Sequence, residues 1–200
     1  MEVKSFVSNY ISEKDIENIE FKWNGKHAEE FEDFNQDFRF AVAEYIIENN
    51  CTDISLELVR DVFIAESEWA KEVWGTSKYF SLISECLLGK GDESIAKCFL
   101  EGFHKSFDTY ACMHSITIEE HLAENYIKIF ENLRMNETDE QLIKWLDSGK
   151  ELMEKFIKGN ASQGFVSLKP GTQIENVRVI HPLSAKIRFG IKKFINKFRG

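Results

Sequence analysis

The chain has no proline before residue 170, although it is 200 residues long. Proline is the strongest helix breaker, because it lacks the backbone N–H and its ring clashes with the preceding turn. The same stretch can therefore hold one helix after another, and the 17 phenylalanines of the chain supply apolar side chains for a core. These features predict a folded, mainly α-helical chain and exclude intrinsic disorder over most of its length.

Apolar residues recur at helical spacing from about residue 28 to residue 158. Divided by capping residues and glycines, this pattern predicts about six helices in a compact bundle or a short α-solenoid. The first predicted helix ends near Asn49, and the second runs from Asp53 to Trp74, with Trp74 on its apolar face. The fourth predicted helix carries Phe107 among its core residues.

The C-terminal part of the chain differs from this pattern. Two short apolar runs flank a proline and predict a small β element near residues 165–181. Residues 19–23 alternate before Asn24–Gly25 and could add a strand to it. The sequence therefore predicts three parts: an acidic helical domain (1–159), a short β or loop segment (160–184) and a basic amphipathic terminal helix (185–200).

Charge is divided unevenly along the chain, whose net charge is −9. Residues 169–200 contain eight basic residues and one acidic residue, a net of +7, whereas residues 1–168 carry a net of −16. Phosphate backbones are bound by clustered Lys and Arg, so the acidic body is not expected to bind nucleic acid.

The predicted terminal helix has one apolar face flanked by basic residues. Such a helix can pack on the acidic body of its own chain, lie on an anionic membrane surface or dock on another protein, and the sequence favours the first. The residues expected to make that contact are Ile187, Ile191, Lys192, Lys193, Phe194 and Phe198.

An acidic arc is predicted on the first long helix, opposite its apolar face. Its position and charge indicate a docking surface for a basic protein, with two apolar side chains projecting through the acids. The competing interpretation is a helix buried on two sides with a solvated row of charges between them. The arc comprises Glu29, Glu30, Asp33, Asp37, Glu44 and Glu48, and the projecting side chains are Phe40 and Ile47.

No catalytic template is recognisable in the chain. The three histidines at His104, His114 and His121 fall within 18 residues and leave a zinc site as a hypothesis, but they lack a standard ligand spacing. We therefore expect no cofactor and no metal.

Four cysteines without a C-x-x-C pair favour reduced, mostly buried thiols over two disulfides. Neither a signal peptide nor a membrane-spanning stretch is evident in the sequence.

These patterns predict a non-enzymatic cytoplasmic protein that binds another, basic protein, such as an inhibitor or immunity-type protein that neutralises it. One alternative is a peripheral membrane protein anchored by residues 185–200. A further alternative is a metal-dependent helical enzyme that uses the three histidines.

Overall fold

The computed structural model describes residues 2–49 and 51–158, apart from the side chain of Thr52. Within those residues the chain forms α-helices joined by short 3₁₀ turns, and the predicted mainly α fold is confirmed. The predicted β element (165–181) and terminal helix (185–200) lie outside the described residues. The helices are α1 (Val3–Ser8), α2 (Ser12–Asp15), α3 (Gln36–Glu48), α4 (Leu56–Val73), α5 (Phe80–Gly89), α6 (Ala96–Phe103), α7 (Phe107–Met113), α8 (Glu120–Met135) and α9 (Glu140–Ile157).

Helix α4 lies at the centre of the fold and packs against α2, α3, α5, α6 and α7. Its Phe63 ring stacks on Phe80 of α5 at 5.5 Å and on Phe99 of α6 at 6.2 Å between centroids. A Cβ on Gly102 of α6 would overlap the Phe63 ring, so this glycine allows the two helices to approach closely. Because one helix contacts five others, the architecture is a compact bundle, whereas a solenoid repeat contacts only its neighbours.

The first predicted helix begins eight residues later than expected, at Gln36. Residues 28–30 form a single 3₁₀ turn, and Trp23 and Asp33 pair in an isolated antiparallel bridge. The predicted start of this helix near residue 28 is therefore wrong. The Asp33 carboxylate accepts hydrogen bonds from the backbone N–H groups of Lys22 and Asn35, and these bonds hold the residues before α3 in a loop.

The fourth predicted helix divides into α6 and α7 at residues 104–106. Ser106 and Thr109 form a capping box that starts α7, so the helical phase is lost between the two segments. Phe107 is consequently 81% exposed, and its predicted place in the core is wrong.

Cys51 and Cys86 form a disulfide that joins the turn before α4 to α5, with Cα atoms 5.5 Å apart. The expectation of four reduced thiols is therefore wrong. The other two cysteines, Cys98 and Cys112, are free and half-buried, and burial raises the pKa of both thiols. A raised pKa keeps a thiol protonated and therefore unreactive.

A buried charge cluster anchors the loop before α3. The Arg39 side chain is fully buried and donates from Nη2 to Asp33 at 2.7 Å and from Nε to Glu66 at 2.6 Å. It also donates at 3.4 Å to the backbone carbonyls of Ile19 and Glu20. Burial raises the pKa of Glu66, while the charge of Arg39 acts against that shift. The cluster thus fixes residues 19–33 to α3 and α4.

Glu85 of α5 makes folding stability depend on pH. Its Oε1 accepts a hydrogen bond from Thr117 N–H at 2.6 Å, while Oε2 is buried with no partner among the described residues. Burial raises the pKa of Glu85 to about 7, and the hydrogen bond from Thr117 opposes that shift. The folded state therefore binds the Glu85 proton more tightly than the unfolded state does.

The free energy of unfolding should consequently fall as pH rises from about 4.5 to 7 and level off above that range. We expect Glu85→Gln to remove this component, on the order of 2 kcal/mol after allowance for partial exposure. Urea unfolding of both proteins at pH 5 and pH 8 measures it. Equal pH dependence in the two proteins would show that Glu85 ionises as freely in the folded state as in the unfolded state.

Candidate functional site

The acids of the predicted arc divide between two environments. Asp37, Glu44 and Glu48 lie on one exposed stripe of α3, and we call these three residues the acidic stripe. Glu29 is also exposed, but it belongs to the 3₁₀ turn before the helix. Asp33 is buried against Arg39, so it cannot contact a partner, and its predicted place on the surface is wrong.

The two apolar residues expected to project through these acids point into the core. The Phe40 ring meets Trp69 at 5.8 Å and Tyr79 at 5.6 Å, each edge to face. Ile47 is buried in the main hydrophobic cluster. Because both side chains pack inside the protein, α3 is buried on two sides and carries a solvated charge row between them.

A groove of about 440 Å³ opens between the loop before α3 and the C-terminal end of α4. Its volume falls within the range of sites that bind a small molecule or a side chain. The groove is lined by His27, Ala28, Phe31, Glu72, Val73 and Trp74.

Trp74 is the most unusual residue of this groove. Its side chain is 86% exposed, and its backbone has φ +59° at the C-terminal cap of α4. Glycine or asparagine normally occupies this left-handed position, because a Cβ there costs roughly 1–2 kcal/mol. Ala28 has φ +58° and lines the same groove, and these two are the positive-φ residues other than glycine within the described chain. Backbone strain of this kind clusters at functional sites.

An aromatic cluster backs the part of the groove that is formed by the loop before α3. Phe31 lies 5.7 Å from Trp23 between ring centroids, and Trp23 meets His27 edge to face at 4.9 Å. Phe21 stacks on Trp23 at 6.0 Å. The antiparallel bridge between Trp23 and Asp33 closes the loop that carries the rings of His27 and Phe31.

The groove and its surroundings carry negative charge. The Glu72 side chain is 23% exposed in the lining, and its nearest cation is the exposed neighbour Lys71 at 3.5 Å. Glu29 and Glu32 lie exposed on the adjoining loop. Carboxylates around exposed aromatic rings favour a cationic ligand.

The segment after Trp74 passes near one residue of the acidic stripe, Glu44. Lys78 lies over the Tyr79 ring, with Nζ 4.6 Å from its centroid. Burial is the largest cause that raises the pKa of Tyr79, and the charge of Glu44 adds to it. Glu44 therefore lies near Tyr79, five residues after Trp74 in the chain.

The three histidines of the metal hypothesis do not converge. His104 stacks on Trp145 at 5.4 Å, and burial lowers its pKa. His114 meets Tyr110 at 4.9 Å, while His121 is exposed on α8. Among residues 2–49 and 51–158 no group of three His, Cys, Asp or Glu side chains is placed to hold a metal ion.

The residues proposed to dock the terminal helix lie outside the described residues, and their role stays a prediction: Ile187, Ile191, Lys192, Lys193, Phe194 and Phe198. Within the described part of the chain, no helix has both the length and the hydropathy needed to cross a membrane.

No protein-family model, curated protein or solved structure matches the chain.

Proposed function

We propose that the chain is a non-enzymatic protein that binds a basic partner protein through the groove and the acidic stripe. The observation that carries this proposal is Trp74, a large aromatic side chain held almost fully exposed in a strained backbone conformation. Trp is one of the residue types enriched in binding hot spots, because its side chain buries a large area when a partner covers it.

The charges around Trp74 favour a basic partner. Glu72 lines the groove, Glu29 is exposed on the loop that lines it, and Asp37, Glu44 and Glu48 are exposed on α3. Complementary charge raises the association rate and penalises acidic competitors. An inhibitor or immunity-type protein that neutralises a basic toxin is one form of this function, because such a protein needs a rigid surface and no catalytic groups.

The proposed cytoplasmic location can be tested through the Cys51–Cys86 disulfide. Structural disulfides persist in oxidising compartments and are rare in the cytosol. Alkylating free thiols in intact cells before lysis, followed by a gel-shift assay, reports whether the pair is reduced in the cell. A reduced pair supports the cytoplasm, and an oxidised pair favours an oxidising compartment.

Trp74→Gly tests the proposed function. Glycine relieves the left-handed strain and the exposed ring loses few contacts, so we expect the free energy of unfolding to stay equal or rise by up to about 1 kcal/mol. We expect capture of the partner from the native cell to be lost, because the anchor is gone. Phe107→Ala is the matched control, since it removes another highly exposed aromatic ring that is not part of the groove lining.

The proposal requires that the protein which Trp74→Gly fails to capture be basic and that Phe107→Ala still capture it. The same protein must also bind the wild type when both are purified. Its affinity should fall as ionic strength rises. Equal capture by wild type and Trp74→Gly, or loss of an acidic protein, would overturn it.

A further inference from the structure

We propose that the groove binds the guanidinium group of an arginine side chain that the partner presents. This inference rests on the proposed function, and it specifies what enters the groove beside Trp74.

The aromatic rings supply flat faces for such a cation. Trp74 is exposed on one wall, and Phe31 lies in the other wall in front of Trp23. A guanidinium group is planar and weakly hydrated, so it stacks on an indole or phenyl face with a smaller desolvation cost than an ammonium group. A groove of about 440 Å³ admits a side chain of that size between the two walls.

Glu72 supplies the carboxylate that distinguishes a cation from an apolar ligand. Its half-enclosed position beside Val73 and Trp74 allows paired hydrogen bonds from the two terminal nitrogens of one guanidinium. The compact ammonium of a lysine cannot form this pair while it stacks on a ring.

Other charged groups of the region leave Glu72 accessible. Lys71 approaches it at 3.5 Å, but this lysine is its sequence neighbour and is 55% exposed, so the pair is weak. Lys26 is paired with Glu30 at 2.7 Å and is therefore compensated. His27 belongs to the loop before α3, whereas Glu72 belongs to α4, and the His27 ring packs against Trp23. An incoming arginine can displace Lys71 into solvent at little cost.

The test uses three short peptides that differ in one side chain: acetyl-Gly-Arg-Gly-amide, the same peptide with citrulline, and the same peptide with lysine. Citrulline matches arginine in shape and lacks the charge. Titration of the ¹⁵N-labelled protein follows the indole N–H signals of its four tryptophans, and the signal missing from Trp74→Gly identifies Trp74.

We expect a saturable shift of the Trp74 signal with the arginine peptide. The citrulline peptide should bind at least about tenfold more weakly, and the lysine peptide several-fold more weakly. Glu72→Gln should reduce the arginine affinity about five- to tenfold and leave the citrulline affinity unchanged. Equal binding of arginine and citrulline, or the absence of a saturable Trp74 shift, would overturn the assignment.

The results separate this inference from the proposed function. If partner capture requires Trp74 but the groove does not prefer arginine over citrulline, the arginine assignment fails and the protein-binding function stands. If the arginine peptide binds as expected but Trp74→Gly captures the partner normally, the proposed function fails and the groove binds arginine for another purpose.

Discussion

Arg39→Met is expected to lower the free energy of unfolding by about 3–5 kcal/mol, because it leaves the buried carboxylates of Asp33 and Glu66 without their cation. Methionine fills much of the volume, so the loss reports uncompensated charge rather than a cavity. Urea unfolding followed by circular dichroism measures it. The variant should regain stability as pH falls, since protonation removes the buried negative charges.

Two further variants identify the cause. Replacing all three residues together, as Arg39→Met with Asp33→Asn and Glu66→Gln, should recover most of the loss. Arg134→Met removes an arginine from the exposed pair with Asp147 and should cost less than about 1 kcal/mol. If the triple variant is as unstable as Arg39→Met, the cluster does not stabilise the fold through charge compensation.

Reduction of Cys51–Cys86 is the second change with a large expected effect. The bond closes a segment of 35 residues, and the loss of chain entropy in the unfolded state corresponds to about 4 kcal/mol. The native structure should persist after reduction, because Lys90 Nζ still donates to the carbonyls of Cys51 at 2.5 Å and Ile54 at 2.7 Å. Urea unfolding with and without reductant measures the loss.

The double variant Cys51→Ser, Cys86→Ser should have the same stability with and without reductant. Cys98→Ser should keep the full response to reductant, since Cys98 is a free thiol. A wild-type midpoint that does not change on reduction would show that the bond adds nothing to stability.

The helices themselves were predictable where apolar periodicity was long and uninterrupted. Helix α4 begins and ends within a few residues of its predicted bounds, because its apolar face packs against the bundle as the pattern indicates. The division between α6 and α7 was not predicted, because Phe103 and Phe107 keep helical spacing across it while Ser106 starts a new helix.

The site was predictable only in its charge. Asp37, Glu44 and Glu48 are exposed as their helical positions suggest, but Asp33 is buried because Arg39 reaches it from α3. A contact between side chains of a loop and a helix leaves no periodic signal. The helical wheel places Phe40 among the acids of the arc, but its contacts with Trp69 and Tyr79 hold its ring against the core.

The position of Trp74 was missed although one signal pointed to it. It fits the apolar arc of α4 by spacing, yet Gly75 follows it and marks the end of the helix. A residue at that end adopts the left-handed conformation and leaves the helical phase, so its side chain no longer follows the arc. The Ala28 strain and the groove itself depend on tertiary packing that no local pattern encodes.

Photo-crosslinking from the groove is the decisive measurement for the binding function. A benzoylphenylalanine residue in place of Trp74 is irradiated in the native cell, with the same residue in place of Phe107 as the control. We expect position 74 to yield one covalent adduct with a basic protein and position 107 to yield none. The same adducts from both positions, or no adduct from position 74, would mean that this groove is not where a partner binds.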